Sequence, residues 1–176
     1  MTAAVPAIVA LTLTTDRLLL RRPQADDIEP FATYIASDRT KFVGGPQPRR
    51  RAYDRLGNFA GHWLLRGFGR YIGCDRATGR PLGHFGAFQH DEDIPPEMAW
   101  SIWDGADTGK GLAQEASRAV LNHYRKRGWP LVCARIDRGN VESIAVAQAL
   151  GFSQNPAHSE GDVLRYDLDL TQGGAA

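Results

Sequence analysis

Cysteine is scarce in this chain. Only Cys74 and Cys133 occur, far apart and each in an apolar or strand-like stretch. That argues against a disulfide framework and leaves two reduced, buried thiols in a cytoplasmic protein as the expectation. The five histidines (His62, His84, His90, His123, His158) show no ligand spacing with cysteine or with one another, so no metal is expected. Net charge is nearly missing too: 21 basic and 20 acidic side chains leave +1, no global field to draw the chain to nucleic acid or to an anionic membrane. Long apolar runs are lacking. The opening "MTAAVPAIVALTLTTDRLLLRR" is interrupted by Pro6 and Thr12, has no basic leader and is too short to span a bilayer. No internal repeat or low-complexity linker marks a second domain.

What is there suffices for one. At 176 residues the chain can bury a real core, and 43% hydrophobic with 23% charged residues is the balance of a soluble globular domain. We expect residues 1–12 to form a flexible arm, residues 13–171 a single domain and residues 172–176 a disordered tail. "RLLLRR" (17–22) predicts a strand. Gln24 to Asp27 supply capping chemistry before a helix whose Ile28, Phe31, Tyr34 and Ile35 share a face. After "GGPQP" a second helix is expected, with Tyr53, Leu56, Phe59, Ala60, Trp63 and Leu64 at spacings of three and four. Arg49, Arg50 and Arg51 open it with the wrong sign for a helix N-terminus, as a solvated face or as an anion contact. Residues 70–88 read as a hairpin turning at "DRATGRP". "PEMAWSIWD" alternates: Met98, Trp100 and Ile102 one way, Glu97, Ala99, Ser101 and Trp103 the other. A helix with Leu112, Ala113, Ala116, Val120 and Tyr124 on one face follows, then a strand at 130–137. A short helix over 140–152, capped by Asn140 and ended by Gly151, and a closing strand complete the pattern. Strand, two helices, three strands, helix, strand, helix, strand implies a central sheet with helices on its faces.

The densest signal is "WDGADTGKGLAQEA" (103–116), three glycines and then a helix. It is no P-loop, for it lacks the Gly-Lys-Ser/Thr ending, and no Rossmann turn, for no ribose-binding acid follows at the right distance. A helix start offers free N–H groups and the positive end of the macrodipole, and glycines let an anion approach the main chain closely. A diphosphate is the natural ligand. Asp107 or Thr108 can cap the helix, and Lys110 adds a charge.

The blocks "EMAWSIWDGADTGKGLAQEASRAVLNHY" and "ARIDRGNVESIAVAQALGF", with "LTTDRLLLRRPQADDIEPF" and "TGRPLGHFGAF" before them, resemble the GNAT superfamily of acyl-CoA-dependent N-acetyltransferases, and within it the Rim-type branch that acetylates ribosomal-protein N-termini. The likeness runs over about residues 12–170. It implies an α/β fold of the mixed α+β kind: a mostly antiparallel twisted sheet, splayed between its fourth and fifth strands, with helices on both faces. It implies acetyl-CoA as co-substrate and no metal. The strand of residues 97–103 would splay at a bulge and pair its main chain, at Ile102 and Trp103, with pantetheine. The family's diphosphate loop falls on Thr108, Gly109, Lys110, Gly111, Leu112 and Ala113, with Thr108 where the family often has Arg or Gln. Asn140 and Ser143 match residues that contact the cofactor arm. The resemblance leaves homodimerisation open.

Acyl transfer to an amine needs a neutral amine, a polarised carbonyl and a protonated leaving thiolate. Glu97 is the candidate base, its alternative being a solvent-facing strand-end carboxylate; Asp104 and Asp107 read better as turn or cap residues. A main-chain N–H near Ser101 to Trp103 would meet the oxyanion. Many family members carry a tyrosine in the last helix as acid; this chain has Ala145, Val146 and Ala147 there, which leaves Ser143 as the candidate. Trp103 could also wall a pocket, though Trp100, Trp103, Phe85 and Phe88 are the aromatics that fill such a core. The expected activity is acetyl transfer from acetyl-CoA to a primary amine, protein N-terminal or small-molecule. The alternative is a non-catalytic acyl-CoA-binding module.

Overall fold

The computed structural model describes residues 11–171; the expectations for the outer arm and the tail lie outside them. In chain order the elements are β1 (Thr12–Thr14), β2 (Leu18–Arg21), α1 (Ile28–Ile35), α2 (Arg51–Arg66), β3 (Arg70–Asp75), β4 (Pro81–Phe88), β5 (Glu97–Ile102), α3 (Leu112–Lys126), β6 (Leu131–Asp137), α4 (Val141–Ala149), β7 (Ser153–Gln154) and β8 (Val163–Asp169). The strands form one sheet in the order β1-β2-β3-β4-β5-β6-β8-β7. Every neighbouring pair is antiparallel except β5 and β6, which run parallel and meet at a single register position, Glu97 opposite Cys133. The expected mixed α/β architecture therefore holds, and the sheet opens between the fourth and fifth of the strands anticipated, here β5 and β6. The two strands not anticipated, β1 and β7, have three and two residues. That is too short for an alternation to register.

Helices cover both faces. On one, Phe31 and Ile35 of α1 and Leu56 and Phe59 of α2 pack on Ile72, Phe88 and Trp103. On the other, Leu112, Ala116, Val120 and Tyr124 of α3 and Ala147 of α4 pack on Leu20, Phe85, Met98 and Val132. The β5 alternation explains how both layers form from one strand: Met98 faces α3, Trp103 faces α1. The buried stripe of α2 is rotated from the expected one. Ala52, Leu56, Phe59 and Trp63 are inside, whereas Tyr53 and Leu64 face out at 71% and 84% exposure. Both sets have helical spacing, and the choice falls to the sheet that α2 must cover. Asp27 and Gln24 make the capping box before α1, and Asn140 Oδ1 accepts the Ser143 N–H at the start of α4. Cys74 and Cys133 are free and buried, and burial pushes the Cys133 thiol up to about 12.

Candidate active site

Where β5 leaves β6, no strand among the described residues covers its outer edge. The Trp103 N–H bonds to Leu82 O across β4 at 2.8 Å, and at the opposite end of the strand the Cys133 N–H of β6 bonds to Pro96 O at 3.0 Å. Since main-chain groups alternate sides along a strand, Ser101 and Trp103 spend theirs on β4, while Trp100 and Ile102 point theirs into the opening. Within the span from Ser101 to Trp103 where the oxyanion donor is expected, the N–H groups of Ser101 and Trp103 are turned away and that of Ile102 faces the gap, as does that of Trp100. The bulge expected in β5 is absent, its register with β4 running unbroken from Gly83–Ile102 to Phe88–Glu97. The opening arises from divergence after one bridge.

Two cavities meet there. The first, about 450 Å³, lies between the end of β5 and the starts of α3 and α4, and Ile102, Thr108, Gly109, Gly111, Leu112 and Ala113 line it. The second, about 250 Å³, lies along β5 toward α1 and α2, with Arg55, Arg70, His84, Glu97, Ala99 and Asp137 on its wall. Tyr34, Val43, Trp100, Ser101, Asn140 and Ser143 line both. Trp100 Nε1 donates to Ser143 Oγ at 2.9 Å, so the serine keeps its own hydrogen to give.

The glycine turn can hold an anion. Gly109 and Gly111 have φ of +76° and +75°, the left-handed region, and a Cβ built on Gly109 would meet nothing within 4 Å. Among the described residues no acceptor takes the main-chain N–H groups from Gly109 through Gln114; the first helical bond of α3 is Glu115 N–H to Gly111 O. These donors, opening on the first cavity, fit a diphosphate. The helix is capped by Gly111 with no side chain, correcting the expectation that Thr108 or Asp107 would do so. Asp104 instead caps the short turn before it, accepting from Ala106 N–H. Arg17, just before β2, braces the loop, donating to Lys110 O at 2.9 Å and pairing with Glu115, which also accepts from Thr15.

Two expected contacts are placed elsewhere. Trp103 is buried at the α1 face with Nε1 on His84 Nδ1 at 2.9 Å, and lines neither cavity. Lys110 Nζ sits 3.1 Å from Asp107, a buried carboxylate also held by Arg80 at 2.9 Å, so its charge is turned to the back of the loop. A residue not foreseen stands at the front. Arg39, from the turn after α1, donates to Thr108 Oγ1 at 2.8 Å and to Ile102 O at 3.2 Å, putting a guanidinium beside the loop.

Arg80, Lys110 and burial act on Asp107 together, and the Arg80 hydrogen bond, the largest influence, holds its carboxyl below the ordinary value. A depressed pKa means the stabilisation is present at neutral pH and lost as pH falls through the folded value. Asp107→Asn is expected to cost about 1–2 kcal/mol and to lower Tm by about 5 °C at neutral pH, the gap closing in acid. Thermal melts at the two pH values check it.

A profile of the acetyltransferase (GNAT) domain matches residues 17–153. The chain belongs to the GNAT acetyltransferase family. No curated protein matches this GNAT chain. Among solved structures, an acetyltransferase from Agrobacterium tumefaciens str. C58 is similar at 27% identity and TM-score 0.81, over 89% of this chain and 93% of that one. A GNAT-family acetyltransferase from Bordetella pertussis is 30% identical, TM-score 0.74, over 90% and 99%. The ribosomal L7/L12 α-N-protein acetyltransferase RimL, in a complex with coenzyme A, shares the fold at 15% identity and TM-score 0.75, over 92% and 97%. This GNAT enzyme is thus an acetyltransferase, and the fold uses acetyl-CoA. Among the described residues no helix is long and apolar enough to cross a membrane, and no group of three or more His, Cys, Asp or Glu could hold a metal.

Proposed function

We propose that the enzyme moves an acetyl group from acetyl-CoA to a primary amine, a small molecule or a protein N-terminus, by direct attack of the amine on the thioester. The observation that carries this is the meeting of two cavities at the uncovered edge of β5, one floored by unpaired N–H groups and the other holding a carboxylate. The coenzyme's diphosphate would lie on the N–H groups from Gly109 to Ala113, its pantetheine along the N–H groups of Trp100 and Ile102, with Asn140 and Ser143 beside the arm. Glu97, half-buried in the second cavity, would take the amine's proton. The Ile102 or Trp100 N–H would meet the oxyanion, and one such donor is worth about 3 kcal/mol. Ser143, whose oxygen is already engaged by the Trp100 indole, would protonate the leaving sulfur.

An amine panel with acetyl-CoA, read by free thiol, tests the reading; thiol release with none of the amines would leave a binding module. The missing tyrosine in α4 is what gives that second reading its weight. Arg39 yields a narrower test. If its guanidinium serves the diphosphate, Arg39→Ala weakens coenzyme A binding about five-fold, about 1 kcal/mol for an exposed charged contact, without changing Tm. Calorimetry and melting together check it.

A further inference from the structure

The second cavity carries more positive charge than the protein answers. Arg70 opens β3 with its guanidinium over the Phe88 ring at 4.3 Å and the Phe59 ring at 5.3 Å. Its Nε is sealed from solvent without a hydrogen-bond partner, and no carboxylate lies within ion-pair distance among the described residues. Burial brings its pKa down to about 10, which still leaves it charged at neutral pH. Arg55, half-buried on α2, likewise makes no ion pair there, though its neighbours Arg51 and Asp54 pair with each other. The third arginine of the wall, Arg135, is answered by Glu160 at 3.7 Å, and Asp137, a second carboxylate of the wall, accepts the Gly139 N–H through Oδ1.

His84 adds a neutral donor. The Trp103 indole can only donate, so His84 Nδ1 accepts and the ring proton sits on Nε2. Burial first, then the charges of Arg70 and Arg55, hold its pKa well below the ordinary value, so the ring stays neutral. No described residue accepts from Nε2, on a side chain that lines the cavity. One unengaged carboxylate faces these donors, Glu97, whose charge acts on Arg70. Desolvating a cation is costly unless it is paired, and both arginines are half-buried, with Arg70 Nε sealed off. With Glu97 assigned to the amine, the arginines have no protein partner left.

We propose that the acceptor carries a carboxylate near its primary amine, and that this group seats against Arg55, Arg70 and His84 while the amine lies at Glu97. The proposal rests on the transferase reading and names its substrate class. The volume, about 250 Å³, is that of about eight waters, room for an amino acid or the first residues of a peptide. A cation–π clamp that only packs Arg70 would make no distinction between an acid and its amide.

That distinction is the test. Acetyl transfer is measured, with the intact enzyme and acetyl-CoA, to matched acid and amide acceptors in two arms: glycine, serine and β-alanine against their carboxamides, and C-terminally amidated peptides with Asp against Asn at the second position. An amide or acid group also shifts the amine's own basicity, in the direction that favours the amide as nucleophile at neutral pH. A preference for the acid therefore reports the pocket. The expected result is at least about a ten-fold advantage in kcat/KM for the acids in one arm, carried mainly by KM, and reduced to about two-fold in Arg55→Gln. Arg70→Gln should do the same, with Arg70→Lys retaining part of the preference. Selectivity confined to the amino acids assigns a small-molecule acceptor; selectivity confined to the peptides assigns an acidic N-terminus. Equal transfer to acids and amides, or transfer confined to cationic amines, overturns the proposal and leaves the transferase reading standing. Coenzyme A binding without thiol release in any arm overturns both.

Discussion

Gly111→Val is expected to lower the affinity for coenzyme A by at least about 100-fold, close to 3 kcal/mol. The reason is local. Gly111 is the N-cap of α3 and holds φ at +75°, a conformation that costs a β-branched residue about 1–3 kcal/mol. The strain is relieved by turning the peptide, and that swings the N–H groups on either side out of line with the cavity. The nearest atom to a new Cβ is Arg17 Nη2 at 3.7 Å, so no clash forces the core apart, and Tm should fall by only a few degrees. Gly109→Ala, at the same backbone angle in open space, should show a smaller loss of the same kind. Titration calorimetry beside a melting curve separates the effects. Unchanged uptake in Gly111→Val would remove the phosphate cradle from the argument.

The second large effect is expected at Glu97. Glu97→Gln keeps the shape of the cavity wall and removes the carboxylate proposed to take the amine's proton. A positioned base contributes about 10²-fold or more, so kcat/KM should drop by about that much while coenzyme A binding is unchanged. The sign with pH is fixed by the substrate. As pH rises the free amine becomes neutral without help, so the gap between variant and parent should narrow. A pH–rate profile of both proteins measures it. Parallel profiles with a constant ratio would assign the proton to water and leave Glu97 with an electrostatic role.

Much of this was readable from residue order, for reasons that can be named. Alternation over six residues places Met98 and Trp103 on opposite faces of β5, and both are found in opposite cores. Capping chemistry is local, so the roles of Gln24 and Asn140 at helix starts follow from a few neighbours. The glycine turn announces itself by composition. What was not legible depends on partners far along the chain. Arg39 reaches Thr108 across 69 positions, and nothing around residue 39 marks it. Lys110 reads as a charge for the ligand because the burial of Asp107, which draws its ammonium away, and the pairing of that carboxylate with Arg80 depend on the fold. Arg70 and His84 meet Glu97 only because β3, β4 and β5 are neighbours in the sheet, and an arginine before a hairpin has no sequence mark of burial. The α2 stripe was misphased since two apolar sets share its period, and only the sheet decides between them.

The single bridge between β5 and β6 has a kinetic consequence. If coenzyme and acceptor take the two cavities as proposed, each has its own side of the sheet, one beside α3 and α4 and one toward α1 and α2. Order of arrival would then be governed by relative affinity rather than by access, and initial-rate kinetics with both substrates varied reads it.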